Sequence, residues 1–309
     1  DIAPYMASTG FQNRGILTGL FEVVGGLFGR NDKAAIEAFG FTSNSIVQAN
    51  RGNVFGDGTD GFGSLGKLRN KFFKWNGLNG WVASLKNSMA LGLARFYGIK
   101  ADQKFSSLEL RERNFLTLYG IDEGKWDMLR SIKTLAIDDK RYLTAEAALD
   151  IPDAVVNKYV GRKLSARELR NFKNDLELTW RNVLSDQGTH GTPEPDTQIR
   201  SITNMGTVKG TGLGEANRFI MQYKNFAVSL YKKILLREMQ SYGPDESKLT
   251  GAAMIASTLM LGTIFGYLVI TTKDLLSGRS PRDPKKLSVI MQSFVQGGGG
   301  GIYGDFLMS

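Results

Sequence analysis

Catalysis and metal binding need convergent groups, and this chain offers few. Glu146, Asp150 and Asp153 have the spacing of metal ligands, but nothing else in the sequence converges on them; carboxylates so placed usually form a solvated helical face. Asp138 and Asp139 are adjacent, so they cannot share one helical face and are expected in a turn. The single histidine, His190, sits in "DQGTHGTPEPD", which reads as a loop with no serine or aspartate arranged around it. "GTGLG" (210–214) has the look of a phosphate cradle, yet the Lys-Ser/Thr pair and the preceding strand that such a loop needs are both missing. A turn ahead of a helix is the expectation there. Cysteine is absent, which excludes thiolate nucleophiles, thiolate metal sites and disulfides. No catalytic constellation is expected, no metal site and no cofactor; the chain does not read as an enzyme.

Charge points instead to partners. The net charge is +9, and it is unevenly spread. Residues 67–104 hold eight basic residues and one acid, Asp102, whereas 105–200 hold fifteen basic and sixteen acidic. Residues 201–248 hold seven basic and four acidic. In "KLRNKFFKWNGLNGW", Lys67, Arg69, Lys71 and Lys74 alternate with Phe72, Phe73, Trp75 and Trp81. A basic helix with aromatics can lie on anionic lipid or follow a phosphate backbone. An ordinary amphipathic helix with solvated lysines has the same pattern. A second helix, expected from about Glu215 to Gln240, repeats the theme with Arg218, Lys224, Lys232, Lys233 and Arg237. These residues, with the four cations of the first segment and Trp75 and Trp81, are the candidate nucleic-acid or lipid contacts.

The most distinctive segment is apolar. Residues 249–272 are 24 residues without a charge. A helix of that length extends about 36 Å, enough to cross a hydrocarbon core of about 30 Å. Thr258, Gly262 and Gly266 lie four apart within it, a spacing that lets helix backbones approach closely. Its C-terminal flank, 273–286, carries five basic and two acidic residues, while 237–248 carries two basic and three acidic. A spanning helix would therefore keep its C-terminal end in the cytoplasm. Alanine, serine, threonine and glycine dilute the segment, so a buried core helix is an equally open reading. A run of glycines, Gly297, Gly298, Gly299, Gly300 and Gly301, follows later. These five suit a close helix-packing crossing as well as a flexible linker, with Ile302, Tyr303, Phe306 and Leu307 docking beside it.

The remaining elements read as helix almost throughout, so the expected class is all-α. The expected architecture is an elongated multi-helix assembly with one long apolar, membrane-competent helix. Ser106 with Glu109, and Ser165 with Glu168, have capping-box spacing, and Asp122 is placed to open a helix. "FYGI" (96–99) and "LYGI" (118–121) read as helix ends with Gly98 and Gly120 in the left-handed conformation. No stretch shows convincing strand alternation. The expected division is an N-terminal helical and glycine-rich segment (1–63), a helical domain with the basic aromatic helix (64–184), a linker (185–214), and a C-terminal part (215–309). A chain opening on Asp1 is expected to be a piece of a longer product.

Several short motifs occur in a fixed order: "FFKWNGLNGW" (72–81), "LYGIDEGKWDMLR" (118–130), "RYLT" (141–144), "GTVKGTGLGEANRFIMQYKNFAVSL" (206–230), "SGRSPRDP" (277–284) and "GGGGGIYGDFLMS" (297–309). In that order they resemble the C-terminal portion of the large internal virion proteins of short-tailed phages, the DNA-ejection or large polyvalent proteins. The chain departs from their pattern at Asn225-Phe226-Ala227, where a proline commonly follows the aromatic residue. The resemblance implies storage inside the virion, ejection ahead of the genome, and a part in a conduit across the host envelope. The implied partners are further copies of the chain, other ejection or portal proteins, phage DNA and the host inner membrane. The implied locations are the virion interior, then the host periplasm and inner membrane. Two alternatives stand beside it: the structural tail of a virion-carried RNA polymerase or peptidoglycan-cleaving enzyme, and a soluble helical scaffold with no membrane role.

Overall fold

The computed structural model describes residues 2–27, 78–132, 134–137, 139–193, 197–204, 206–208, 211–214, 217, 225–237 and 248–297. The chain is all-α in class, with eleven α-helices against two three-residue strands among these residues. The helices are α1 (Ile2–Phe11), α2 (Ile16–Leu27), α3 (Leu78–Lys100), α4 (Leu110–Leu118), α5 (Glu123–Arg130), α6 (Asp153–Val160) and α7 (Ala166–Gly191). They continue with α8 (Thr197–Asn204), α9 (Asn225–Leu230), α10 (Lys248–Leu276) and α11 (Leu287–Gln296). Strands β1 (Leu135–Ile137) and β2 (Lys140–Tyr142) form an antiparallel hairpin between α5 and α6. By contacts the chain divides into two compact units. One comprises Gln12–Ala49 and Arg69–Thr189; the other comprises Asp1–Phe11, Asn50–Leu68 and His190–Ser309.

The first unit is built around α3. Leu85, Met89, Leu93 and Tyr97 recur every four residues and are all buried, so one face of the helix forms the core. The Tyr97 ring lies 6.1 Å from Phe115, 5.6 Å from Trp126 and 5.4 Å from Trp180, measured between centroids. Buried indoles need acceptors. Trp126 Nε1 donates to the Gln103 carbonyl and Trp180 Nε1 to the Leu143 carbonyl, both at 3.0 Å. Burial pushes the Tyr97 hydroxyl well above its ordinary pKa, and the Glu112 carboxylate adds to the shift.

Several local expectations meet a different outcome. Gly98 does not end its helix; α3 runs on to Lys100. Its missing Cβ makes room for the Arg141 carbonyl of the β-hairpin, which any side chain at 98 would strike. Gly120 does take the left-handed conformation, with φ of 72°. Its N–H donates to Thr117 O and the next N–H, of Ile121, to Leu116 O, which is a Schellman closure of α4. The capping box that opens α4 lies one turn later than Ser106. Ser106 belongs to a short 3₁₀ turn, and the Glu112 carboxylate accepts from the Glu109 N–H at 3.1 Å. Glu112 is buried there by its ion pair with Lys100 at 3.0 Å.

The expected loop from Ser185 is helical as far as Gly191, and His190 lies in its last turn. The buried stripe of Leu176, Trp180, Val183 and Leu184 continues to Gln187 on the same face. Gly188 lies flat against Lys86, with room for nothing larger than a tightly packed methyl group. The β-hairpin is the strand pairing that the alternation pattern missed. Asp139 forms its turn with φ of 59°, and the Leu143 N–H ties the hairpin to the Ala94 carbonyl of α3 at 3.0 Å. Asp138, expected in the same turn, lies outside the described residues. Glu146 and Asp153 are engaged by cations, Arg181 at 3.3 Å and Lys173 at 2.7 Å.

Two outcomes follow. Gly98→Ala forces a methyl group into backbone and is expected to cost about 1–3 kcal/mol in chemical denaturation. Gly25→Ala, with open space around Gly25, is expected to be neutral or slightly stabilising. The box that opens α7 behaves as its spacing implied. The Ser165 N–H and hydroxyl donate to Glu168 at 2.8 and 2.7 Å, and Arg162 reaches the same carboxylate at 2.7 Å. The Arg162 hydrogen bond, followed by those from Ser165, holds the Glu168 carboxyl at about 2, down from 4.5. A lowered native pKa means that this support for α7 is complete above pH 4.5 and is lost as pH falls through about 2. An NMR titration of the Glu168 side chain is expected to show that midpoint; a midpoint near 4.5 would count against the cap.

Candidate functional site: an apolar helical hairpin

The second unit contains a helix–turn–helix formed by α10 and α11. On α10 the residues Thr258, Gly262, Gly266, Ile270 and Asp274 follow one another at four-residue intervals, and all five are buried. This is the face that receives α11. A Cβ on Gly266 would overlap the Ser293 carbonyl, and a Cβ on Gly297 would overlap the Gly262 carbonyl. The two backbones therefore touch at Gly262, Gly266 and Gly297. The Ser293 and Thr258 hydroxyls donate within their own helices, to Val289 O at 2.7 Å and Met254 O at 3.0 Å, so neither is an unpaired polar group at the seam.

The turn between the helices is closed by charge. Gly278, with φ of 71°, ends α10; its N–H donates to Leu275 O and the Arg279 N–H to Asp274 O. The buried Asp274 carboxylate receives Arg282 through two nitrogens, at 2.8 and 3.1 Å. A buried carboxylate is tolerated only when paired, and a two-pronged guanidinium is its best partner. Arg282 also donates to Gln292 on α11 at 2.6 Å, and its carbonyl accepts from the Tyr267 hydroxyl at 2.8 Å. One arginine thus links both helices to the turn. Asp274 and Arg282 were not among the sequence candidates. Their signal was the continuation of the four-residue spacing from Gly262 onto an acid, with an arginine eight residues on.

The opposite face of α10 is apolar and exposed. Met260, Ile264 and Leu268 are 61%, 50% and 51% exposed, and Leu287, Ile290 and Met291 on α11 are exposed as well. Only 22% of the apolar window of α10 is buried within the molecule, whereas a core helix of a soluble protein is mostly buried. Among the described residues α10 is the one helix long and apolar enough to cross a membrane, over Gly251–Leu276 with a mean hydropathy of 1.9.

The other sequence candidates are placed as follows. Lys67, Arg69, Lys71, Lys74, Trp75, Arg218 and Lys224 lie outside the described residues, as does the expected start of the second basic helix at Glu215. Of the five-glycine run, Gly297 is the crossing point described above. Gly298, Gly299, Gly300 and Gly301 lie outside the described residues, together with the tail from Ile302. Trp81 is half-buried in the first turn of α3. Lys232 and Lys233 fall in a π-helical turn, Tyr231–Leu235, that extends α9. Both are half-buried, and Arg237 is folded back onto α1. Its guanidinium stacks 4.1 Å from the Phe11 ring centroid and donates to Ser8 Oγ at 3.2 Å. Near "GTGLG", Gly214 N–H donates to Thr211 Oγ1 at 3.1 Å, a local turn. No group of three or more metal-ligating side chains occurs among the described residues.

Fold and site together define an all-helical protein with an apolar hairpin whose longer helix has membrane length. Compared with family models, curated proteins and solved structures, the chain matches none.

The glycine seam makes a direct prediction. Gly266→Ala pushes Ser293 away and is expected to weaken the hairpin by about 1–3 kcal/mol. Amide hydrogen exchange over 287–297 should then speed up by roughly tenfold or more, while α3 exchanges as before.

Proposed function

We propose that the chain is part of an internal virion protein of a short-tailed phage, stored in the capsid and ejected to help form a conduit for the genome across the host envelope. The proposed role is structural, without catalysis. The observation that supports it best is the hairpin: a helix of membrane length with 24 consecutive uncharged residues, whose Thr258, Gly262 and Gly266 face inward and whose Met260, Ile264 and Leu268 face out. Such a face suits lipid in the host inner membrane and suits further copies or other ejection proteins beforehand. The basic turn, with Arg279, Lys285 and Lys286 exposed, would sit at the anionic headgroups of the cytoplasmic leaflet. The ordered motifs that resemble ejection proteins supply the phage context. Flotation with anionic liposomes tests the membrane step. The wild-type chain is expected to float, and Ile264→Lys/Leu268→Lys to stay behind by roughly tenfold or more, since each lysine at mid-helix costs about 2.5–3.5 kcal/mol on insertion. A wild-type chain that does not float, or a double variant that floats equally well, sinks the proposal.

A further inference from the structure

The α6–turn–α7 corner carries an exposed polar face within a segment whose total charge is balanced. On α7, Arg167, Arg170, Asn171 and Asn174 fall at i, i+3, i+4 and i+7, and all four are exposed. That spacing places them on one side of the helix. The other side holds Leu169, Leu176 and Trp180 in the core. Lys158 at the end of α6 and Lys163 in the turn that leads into α7 are exposed as well. From 158 to 174 the chain has six basic residues and one acid, Glu168. That acid is occupied by Arg162 and the Ser165 cap. No carboxylate pairs with Arg167, Arg170, Lys158 or Lys163 among the described residues.

The corner is rigid. Gly161, at φ 75°, closes α6, and the Leu164 N–H donates to Asn157 Oδ1 at 2.7 Å. Asp153 holds Lys173 at 2.7 Å, and the Tyr159 ring packs at a tilt against Phe172, 5.7 Å between centroids, while its hydroxyl donates to Asp122 at 2.8 Å. The backbone that carries the binding side chains is therefore held in place before any partner arrives.

We infer that this face is a binding site for double-stranded DNA, with the N-terminal half of α7 in the major groove and Lys158 and Lys163 on flanking phosphates. Arginine and asparagine are the side chains that make paired hydrogen bonds to guanine and adenine edges there. In helix–turn–helix docking the start of the second helix meets the bases while the first crosses the backbone. The composition disfavours other anions. A lipid surface has no use for two asparagines, and the aromatic that a single strand would stack on, Tyr159, is already engaged. A-form RNA has a major groove too deep and narrow for a helix. The site goes beyond the conduit role and does not depend on the membrane step.

The test is fluorescence anisotropy of the full chain with a labelled duplex of random sequence over a salt series. Arg167→Ala/Arg170→Ala is expected to weaken binding by roughly tenfold or more and to flatten the salt dependence. Asn171→Ala/Asn174→Ala is expected to weaken it several-fold with the salt slope unchanged, because no charge is lost. Arg95→Ala/Lys104→Ala removes the same charge elsewhere in the same unit and is expected to leave duplex binding unchanged. Unaltered binding in either α7 variant overturns the inference, and so does an equal loss in the Arg95/Lys104 control. Double-stranded RNA competing as well as DNA also overturns it. Loss of liposome binding in the α7 arginine variant, with duplex binding intact, would assign the face to lipid instead. Unchanged circular dichroism of each variant keeps misfolding apart from lost contact.

Discussion

Backbone lying on backbone at Gly262, Gly266 and Gly297 is the constraint on which the hairpin depends. Large apolar side chains at those positions would hold the helices apart and leave Asp274 beyond the reach of the turn. With the backbones in contact, the Arg282 fork closes over Asp274 and reaches Gln292 on the second helix. The seam therefore combines close backbone contact at the glycines with buried Ile270 and one charged clamp. This matters because lipid removes the hydrophobic drive for helix association but leaves close packing and paired polar groups intact. The contacts that hold this hairpin together are of the kind that does not need water outside it.

The outward face follows from the inward one. Once every fourth residue from Thr258 to Asp274 is committed to the seam, the positions two residues away point outward. Those are Met260, Ile264 and Leu268. The first unit uses glycine for a related purpose but with a different result. Gly98 and Gly188 bring the β-hairpin and α3 against their neighbours, and the large residues, Tyr97, Trp126 and Trp180, are all inside. The α3 core hides its largest aromatics; the hairpin displays Met260, Ile264 and Leu268. That contrast, more than total hydrophobicity, separates a packed domain from a surface that needs a partner.

Helical class, the long apolar element and its small-residue stripe were legible because each is a periodic signal within one segment. Gly297 as a backbone crossing point was one of the two readings the glycine run left open, the other being a flexible linker. What escaped were features decided by distant neighbours. Three-residue strands cannot show alternation, and β2 exists because Ala94 and Gly98 offer it a place on α3. Ser106 and Glu109 had the right spacing for a cap, but Glu112, buried with Lys100, moved the cap one turn along. "DQGTH" has loop composition, yet the stripe running to Gln187 and the contact between Gly188 and Lys86 keep it helical.

Charge illustrates the same limit from the other direction. Counted along the chain, 105–200 is balanced and draws no attention. In three dimensions several of its acids are paired, Glu112 with Lys100, Glu146 and Glu177 with Arg181, Asp153 with Lys173, and Glu168 with Arg162 and the Ser165 cap, while Asp175 beside Asn174 stays exposed. Arg167, Arg170, Lys158 and Lys163 are left facing water with two asparagines between them. The field at a surface depends on which charges remain unpaired there, not on the sum over a segment. A neutral stretch can thus hold a strongly basic face, while a basic residue such as Arg237, stacked on Phe11, adds little to any.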